Sequence, residues 1–227
     1  MRRIIPITMV TCGLIISVLL IHSVLAQTPA PGNPAPAAEN QIPGEVLLKG
    51  VSTIRVTFDG HVSKFEYSDA THSTFPNGHG IVDVYTKCCD GYIYFAFQIP
   101  DLSPYPGDDI VVMLDTTLGK AATPAKTDIR AYVRRKMENS RQYQGDGQKW
   151  ADYYGDWEYR SAAYSTGWEV EVRYPLKSLN LEAGKKTTLG LAFRIWDNQP
   201  QKKWNWPAGS DENKPTTSGA LVLATAE

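Results

Sequence analysis

Residues 92–115 read YIYFAFQIPDLSPYPGDDIVVMLD. Two apolar runs, Tyr92–Ile99 and Ile110–Leu114, flank a short loop of Pro and Asp with one aromatic, Tyr105, near its tip. Both runs are too short for ordinary helices and rich in β-branched and aromatic residues, so they predict neighbouring buried strands. Ile110–Leu114 is apolar at every position. It is therefore expected in a central strand covered on both sides, with loops over its outer face. The loop between the runs offers one ring beside carboxylates, the makings of a ligand-binding edge.

The same signature recurs outward from this stretch. Strands are expected at Glu45–Gly50, Ile54–Phe58, Ile81–Lys87, Tyr92–Ile99, Asp109–Asp115, Ile129–Arg135, Trp157–Tyr164, Trp168–Tyr174, Thr187–Trp196 and Ala220–Ala224. Turn dipeptides such as Asp59-Gly60, Asn77-Gly78, Asp90-Gly91 and Ala183-Gly184 punctuate them. Within Trp168–Tyr174 apolar and charged residues alternate strictly, which puts Trp168, Val170, Val172 and Tyr174 on one face and Glu169, Glu171 and Arg173 on the other. Pro175 ends that strand, and Leu176–Leu179 suits one helical turn. Many short strands without a long 3.6-residue period indicate an all-β antiparallel sandwich or barrel.

The N-terminus reads as a targeting segment. Arg2 and Arg3 precede an apolar run that ends in Val24-Leu25-Ala26, a signal-peptidase pattern, so residues 1–26 are expected to be cleaved and the product secreted or periplasmic. The alternative is an uncleaved N-terminal membrane anchor, for which the run is just long enough. Residues 27–44 are Pro- and Ala-rich and read as a tether, leaving 45–227 as one domain. Loss of two arginines from 23 basic residues leaves 21 against 24 acidic ones. That balance gives no basis for gripping a nucleic-acid backbone.

Several residue groups could carry chemistry. Trp150, Tyr153, Tyr154, Trp204 and Trp206 lie in loop-like polar surroundings, where an aromatic either meets ligand or caps the end of a sandwich. Glu66, Asp115, Glu169 and Glu171 invite an acid/base reading for glycoside cleavage, although strand alternation explains the last two equally well. Asp101, Asp108 and Asp109 gather at one loop, and Asp59 and Asp69 flank another; such oxygen-rich loops suit Ca2+ and serve turns equally. Cys88 and Cys89 are adjacent before Asp90-Gly91. There they would form a strained vicinal disulfide, remain free thiols, or link to another chain.

The order of motifs resembles the family 9 carbohydrate-binding modules and their DOMON-like relatives. Phe58-Asp59-Gly60 with Glu66-Tyr67 is similar to the family's opening "DG … EW". Tyr92–Asp101, Asp108–Asp115 and Gly167–Leu179 match its successive strand motifs, and Trp196-Asp197 with Gly219-Ala220-Leu221 its close. The resemblance implies a jelly-roll or immunoglobulin-like β-sandwich and a non-catalytic domain that binds oligosaccharide or polysaccharide, with structural calcium. It also implies a sugar ring held between two aromatics, whose C–H face packs on the ring plane. Tyr105 falls at the first stacking position, Trp204 or Trp206 is available for the second, Arg130 corresponds to a strand arginine, and Val111 replaces a glutamate.

Two further readings stand beside this one. Some DOMON relatives bind b-type haem through a Met and a later His or Lys. Here His61, His72 and His79 all precede Met113, which leaves only Lys177 or Lys202 as its partner and weighs against haem. The other reading is an extracytoplasmic interaction module without a sugar site.

Overall fold

Alternating side chains give each strand two unlike faces, and stacking two sheets buries the apolar one of each. The computed structural model describes residues 44–48, 50–103 and 105–223. The leader 1–26 and, apart from Gly44, the tether 27–44 lie outside the described residues. The strands are β1 (Glu45–Leu48), β2 (Thr71–Pro76), β3 (Ile81–Cys89), β4 (Tyr92–Pro100), β5 (Asp109–Asp115), β6 (Asp128–Arg134), β7 (Arg141–Gly145), β8 (Trp150–Tyr153), β9 (Glu158–Tyr164), β10 (Gly167–Pro175), β11 (Thr187–Asp197), β12 (Lys202–Trp206) and β13 (Gly219–Leu223). One sheet runs β1-β13-β11-β5-β6-β7-β8, with β12 paired to β11, and the other runs β2-β3-β4-β10-β9. Among the described pairings only β1 with β13 is parallel. The chain is thus the all-β sandwich its sequence predicts.

The inner faces of β4, β5, β10 and β11 make the core. Phe193 sits edge-on to Phe95 and Phe97 at centroid distances of 5.7 and 5.1 Å, and Trp168, Val170, Val172 and Tyr174 are all buried. Truncating one such Phe to Ala costs about 3–5 kcal/mol. β5 is buried at every residue, as its unbroken apolar run requires. After Pro175, Leu176–Leu179 forms the expected single turn, of 3-10 type.

Ile54–Phe58 is a correction. It alternates half-buried and exposed residues as a strand would, yet pairs with no ladder. Instead residues 51–70 run as a strap over the outer face of the smaller sheet, where Val56, Phe58, Val62 and Tyr67 cover Tyr94, Ala96 and Cys89. The alternation reports the face the strap presents; pairing partners are set by other parts of the chain. Strands β2, β7, β8 and β12 are absent from the sequence reading because THSTFP, RQYQG, WADY and KKWNW are short, polar segments.

Of the states the sequence leaves open for the two cysteines, the structure has free thiols and no vicinal disulfide. Cys88 and Cys89 are both buried and free. They lie within the regular β3–β4 ladder, opposite Ile93 and Tyr92, so their side chains project to opposite faces. Cys88 enters the main core and Cys89 the cluster beneath the strap. Burial pushes the Cys88 thiol up to about 12 and raises that of Cys89 as well, so both stay protonated and unreactive near neutral pH.

The strap is pinned by one carboxylate. Glu171, wholly buried on β10, accepts hydrogen bonds from Asp59 N–H (3.0 Å), Gly60 N–H (2.8 Å) and the Tyr67 hydroxyl (2.6 Å). Gly60 has φ +95°, and a Cβ there would stand 3.0 Å from the Ser161 backbone, so glycine is required on both counts. Asp59-Gly60, Tyr67 and the Glu of WEVEV, far apart in sequence, therefore meet at one buried point. Burial pushes the Glu171 carboxyl up to about 7 from an ordinary 4.5, against the pull of its hydrogen bonds. With the folded pKa above the unfolded one, this group's contribution is full below about pH 4.5 and is lost as pH rises through about 7. The melting temperature of wild type should therefore fall relative to Glu171→Gln as pH rises across that window. Parallel curves would refute the assignment.

Candidate functional site

Antiparallel register places Arg130 of β6 opposite both Met113 of β5 and Tyr143 of β7, on the outer face of the larger sheet. Trp150 and Asp152 of β8 continue that face one strand further out. The Arg130 guanidinium lies 4.5 Å from the Trp150 ring centroid, 5.1 Å from Tyr143 and 5.2 Å from Tyr132. Its Nη1 donates to the Asn213 side chain, and Trp150 Nε1 donates to the Asn213 carbonyl at 3.3 Å. A cation enclosed by three rings is worth about 0.5–2 kcal/mol per contact and fixes the rings relative to one another.

Acidic partners balance the charge of this face. Arg194 of β11 lies over Tyr132 and donates to Asp109 at 2.5 Å, and its Nε is 3.4 Å from Glu212, which also faces Lys203. Burial pushes the Asp109 carboxyl up to about 6 against the pull of Arg194 and Arg134. Residues 210–218 fold over the apolar outer side chains Val111 and Met113, with Glu212 and Asn213 reaching the two arginines. Arg130 is consequently only 9% exposed, and its Nε has no hydrogen-bond partner among the described residues. The open part of the shelf is its Trp150 and Tyr143 end, where both rings are half-buried.

The sequence candidates fall into three places. Arg130 and Trp150 come together on this shelf. Tyr105 and Trp204 go to one end of the sandwich, where Asn198 N–H donates to Asp108, His79 pairs with Asp197, and Asn77 Nδ2 donates to the Pro100 carbonyl. There Tyr105, 40% exposed, borders a cleft of about 310 Å³ with Arg135, Ala163 and Trp168, while Trp204 lies against Gly78 beneath Lys202. Trp206 is a correction: it packs at 5.3 Å on Phe193 inside the core, because its register partner Phe193 faces inward. It closes the sandwich and offers no platform. Sequence reasoning missed Tyr132 and Tyr143; their alternation with Arg130 across β6 and β7 was the available signal, and β7 was the strand it lacked.

The four carboxylates considered for hydrolysis all serve structure. Glu169 accepts from Gln98 and meets His61, Glu171 holds the strap, Glu66 accepts from Thr57 N–H, and Asp115 accepts from the N–H groups of Thr117, Gly119 and Lys120. The aspartates proposed for calcium are likewise taken. Asp101 and Asp108 both face Arg135, at 2.5 and 3.4 Å, Asp109 faces Arg194, and Asp59 accepts from His61 N–H. Carboxylates neutralised by guanidinium do not make a Ca2+ cage. Among the described residues no cluster of three or more His, Cys, Asp and Glu is placed to hold a metal. Nor do residues gather for haem: Met113 is wholly buried opposite Ala192, whereas Lys202 pairs with Asp197 at the far end of β11, and Lys177 follows β10 in the other sheet.

No family model matches the sequence, and no curated protein matches it. Solved structures do. A family 9 carbohydrate-binding module from Caldicellulosiruptor kristjanssonii in complex with glucose superposes with a TM-score of 0.58 at 15% identity, covering 81% of this chain and 97% of that one. The same kind of module in complex with cellotriose gives 0.56 at 15% identity, with 81% and 95% covered. The chain has the family 9 fold. At this identity the likeness speaks for the architecture, which includes nearly the whole of each module. Among the described residues no helix is long and apolar enough to cross a membrane. Because the loop aspartates are paired with arginines, a chelator is expected to leave the melting temperature unchanged. A fall on chelation would place a structural ion in the loops after all.

Proposed function

We propose that this chain is an exported, non-catalytic domain that binds a neutral oligosaccharide or polysaccharide by stacking a sugar ring on the outer-face shelf. One observation carries the reading: Trp150 is held rigid at the rim, with Arg130 at 4.5 Å from its ring and Tyr143 beside it. A ring fixed before the ligand arrives loses little entropy on binding. The C–H face of a pyranose packs on such a plane, and its hydroxyls find the Asp152 carboxylate on the same face of β8. The family 9 fold, solved elsewhere with glucose and cellotriose, supports the ligand class. The signal-like leader supports export and a secreted or periplasmic setting.

Arg130, a candidate ligand contact in the sequence, sits beneath the ring. Buried and bonded to Asn213, it acts chiefly as a brace beneath Trp150. Trp150→Ala should weaken binding of the preferred hexasaccharide about tenfold in titration calorimetry, the scale of one lost stacking contact. Tyr105→Ala, measured in parallel, should leave affinity unchanged. The reverse result would move the ligand to the end of the sandwich and overturn the shelf.

A further inference from the structure

The two sheets end laterally in edge strands that cannot pair with each other, β8 of the larger sheet and β9 of the smaller. The chain crosses between them through Tyr154-Gly155-Asp156-Trp157. Tyr153 pairs with the inward-facing Gln142, and Tyr159 pairs with the inward-facing Val172, so both rings point into the gap between the sheets. Trp157 meets Tyr159 at a tilt with ring centroids 4.5 Å apart and lies nearly parallel to the buried Tyr174 at 6.4 Å. What remains is an open cleft of about 610 Å³ at the edge of the sandwich, lined by neither Trp150 nor Tyr143; Arg141 and Asp152, on the outer face of β7 and β8, reach its rim.

Three features say what this cleft takes. Its wall is aromatic: Tyr153, Tyr154, Trp157 and Tyr159 all line it. Tyr154 is 94% exposed, a large ring held in water that nothing among the described residues covers. The absence of a side chain at Gly155 is what lets the Tyr153 ring lie flat there, since a Cβ would stand 2.2 Å from it. The polar lining is of mixed character, one cation in Arg141, one anion in Asp152, and the amide of Gln142, whose Oε1 accepts from Gly155 N–H at 3.0 Å. An anionic or cationic ligand would meet an opposing charge of its own sign. A neutral molecule with C–H faces and many hydroxyls satisfies rings, donors and acceptors together.

We infer that this lateral cleft is a second carbohydrate site, taking a segment of a neutral glycan chain with Tyr154 as its outer stacking ring. The ligand class rests on the function proposed above; the location does not. Two sites on one domain raise the apparent affinity for a long chain without further contacts.

The test titrates the full chain, Trp150→Ala, Tyr154→Ala and the double variant with cellohexaose, xylohexaose and mannohexaose, while following the Trp157 indole N–H resonance. Tyr154 is so exposed that its removal spares the fold. Trp150→Ala should still bind one of the hexasaccharides and shift the Trp157 resonance, and adding Tyr154→Ala should weaken that remaining binding about tenfold. Abolition by Trp150→Ala alone, with Trp157 unmoved, overturns the cleft and leaves the shelf. Abolition by Tyr154→Ala alone supports the cleft and overturns the shelf. No binding of any of the three sugars by wild type overturns both.

Discussion

Val111 and Met113 are apolar side chains on the outward face of a central strand, and water must be kept from them. The same holds for Tyr94 and Ala96 on the other sheet. A two-layer sandwich buries one face of each sheet through the other sheet; here the chain must cover the second faces as well. It does so with segments of irregular backbone, residues 51–70 over the smaller sheet and 210–218 over the larger. Such segments carry polar backbone groups, and each needs a polar anchor in the sheet below. Glu171 serves the first, and Arg130 with Arg194 the second.

These anchors explain why so many charged residues lie buried. Glu171, Asp109, Arg130 and Arg194 are all taken from water, and each is answered by named partners. Burying such groups is costly, and removing one member of the Asp109–Arg194 ion pair would cost roughly 3–5 kcal/mol because the other would be left uncompensated. The same commitment decides what is left for function. A carboxylate that holds a strap, or is paired with arginine, is not free to bind calcium or to cleave a glycosidic bond. What stays open to solvent is a pair of rings at the margins of the covered surfaces, Trp150 on the shelf and Tyr154 at the lateral mouth.

The covering segments also alter what the family resemblance predicts of individual positions. Val111 stands where a polar sugar contact was expected, and the loss is coherent: beneath residues 210–218 an apolar side chain needs no partner, whereas a carboxylate would. Arg130, 4.5 Å from the Trp150 ring, acts as a brace for it. Trp206, which alternation places inward, fills the core beside Phe193.

The strands were legible wherever apolar residues ran unbroken or alternated strictly, as in Tyr92–Ile99, Asp109–Asp115 and Trp168–Tyr174. Side-chain burial there depends on period alone, and period is local. The alternation in Ile54–Phe58 told truly which side chains face inward but not whether the backbone pairs, and the short polar strands β7 and β8 carried no local signal at all. Pairing Arg130 with Tyr143, and placing Trp150 one strand beyond, required the strand order of the larger sheet. The lateral cleft required both sheets, because its two walls belong to different layers. Sequence by itself determined the faces and the sandwich, since these follow from hydrophobic periodicity. Only the tertiary structure decided which rings stand free, because exposure depends on which distant segment comes to lie above.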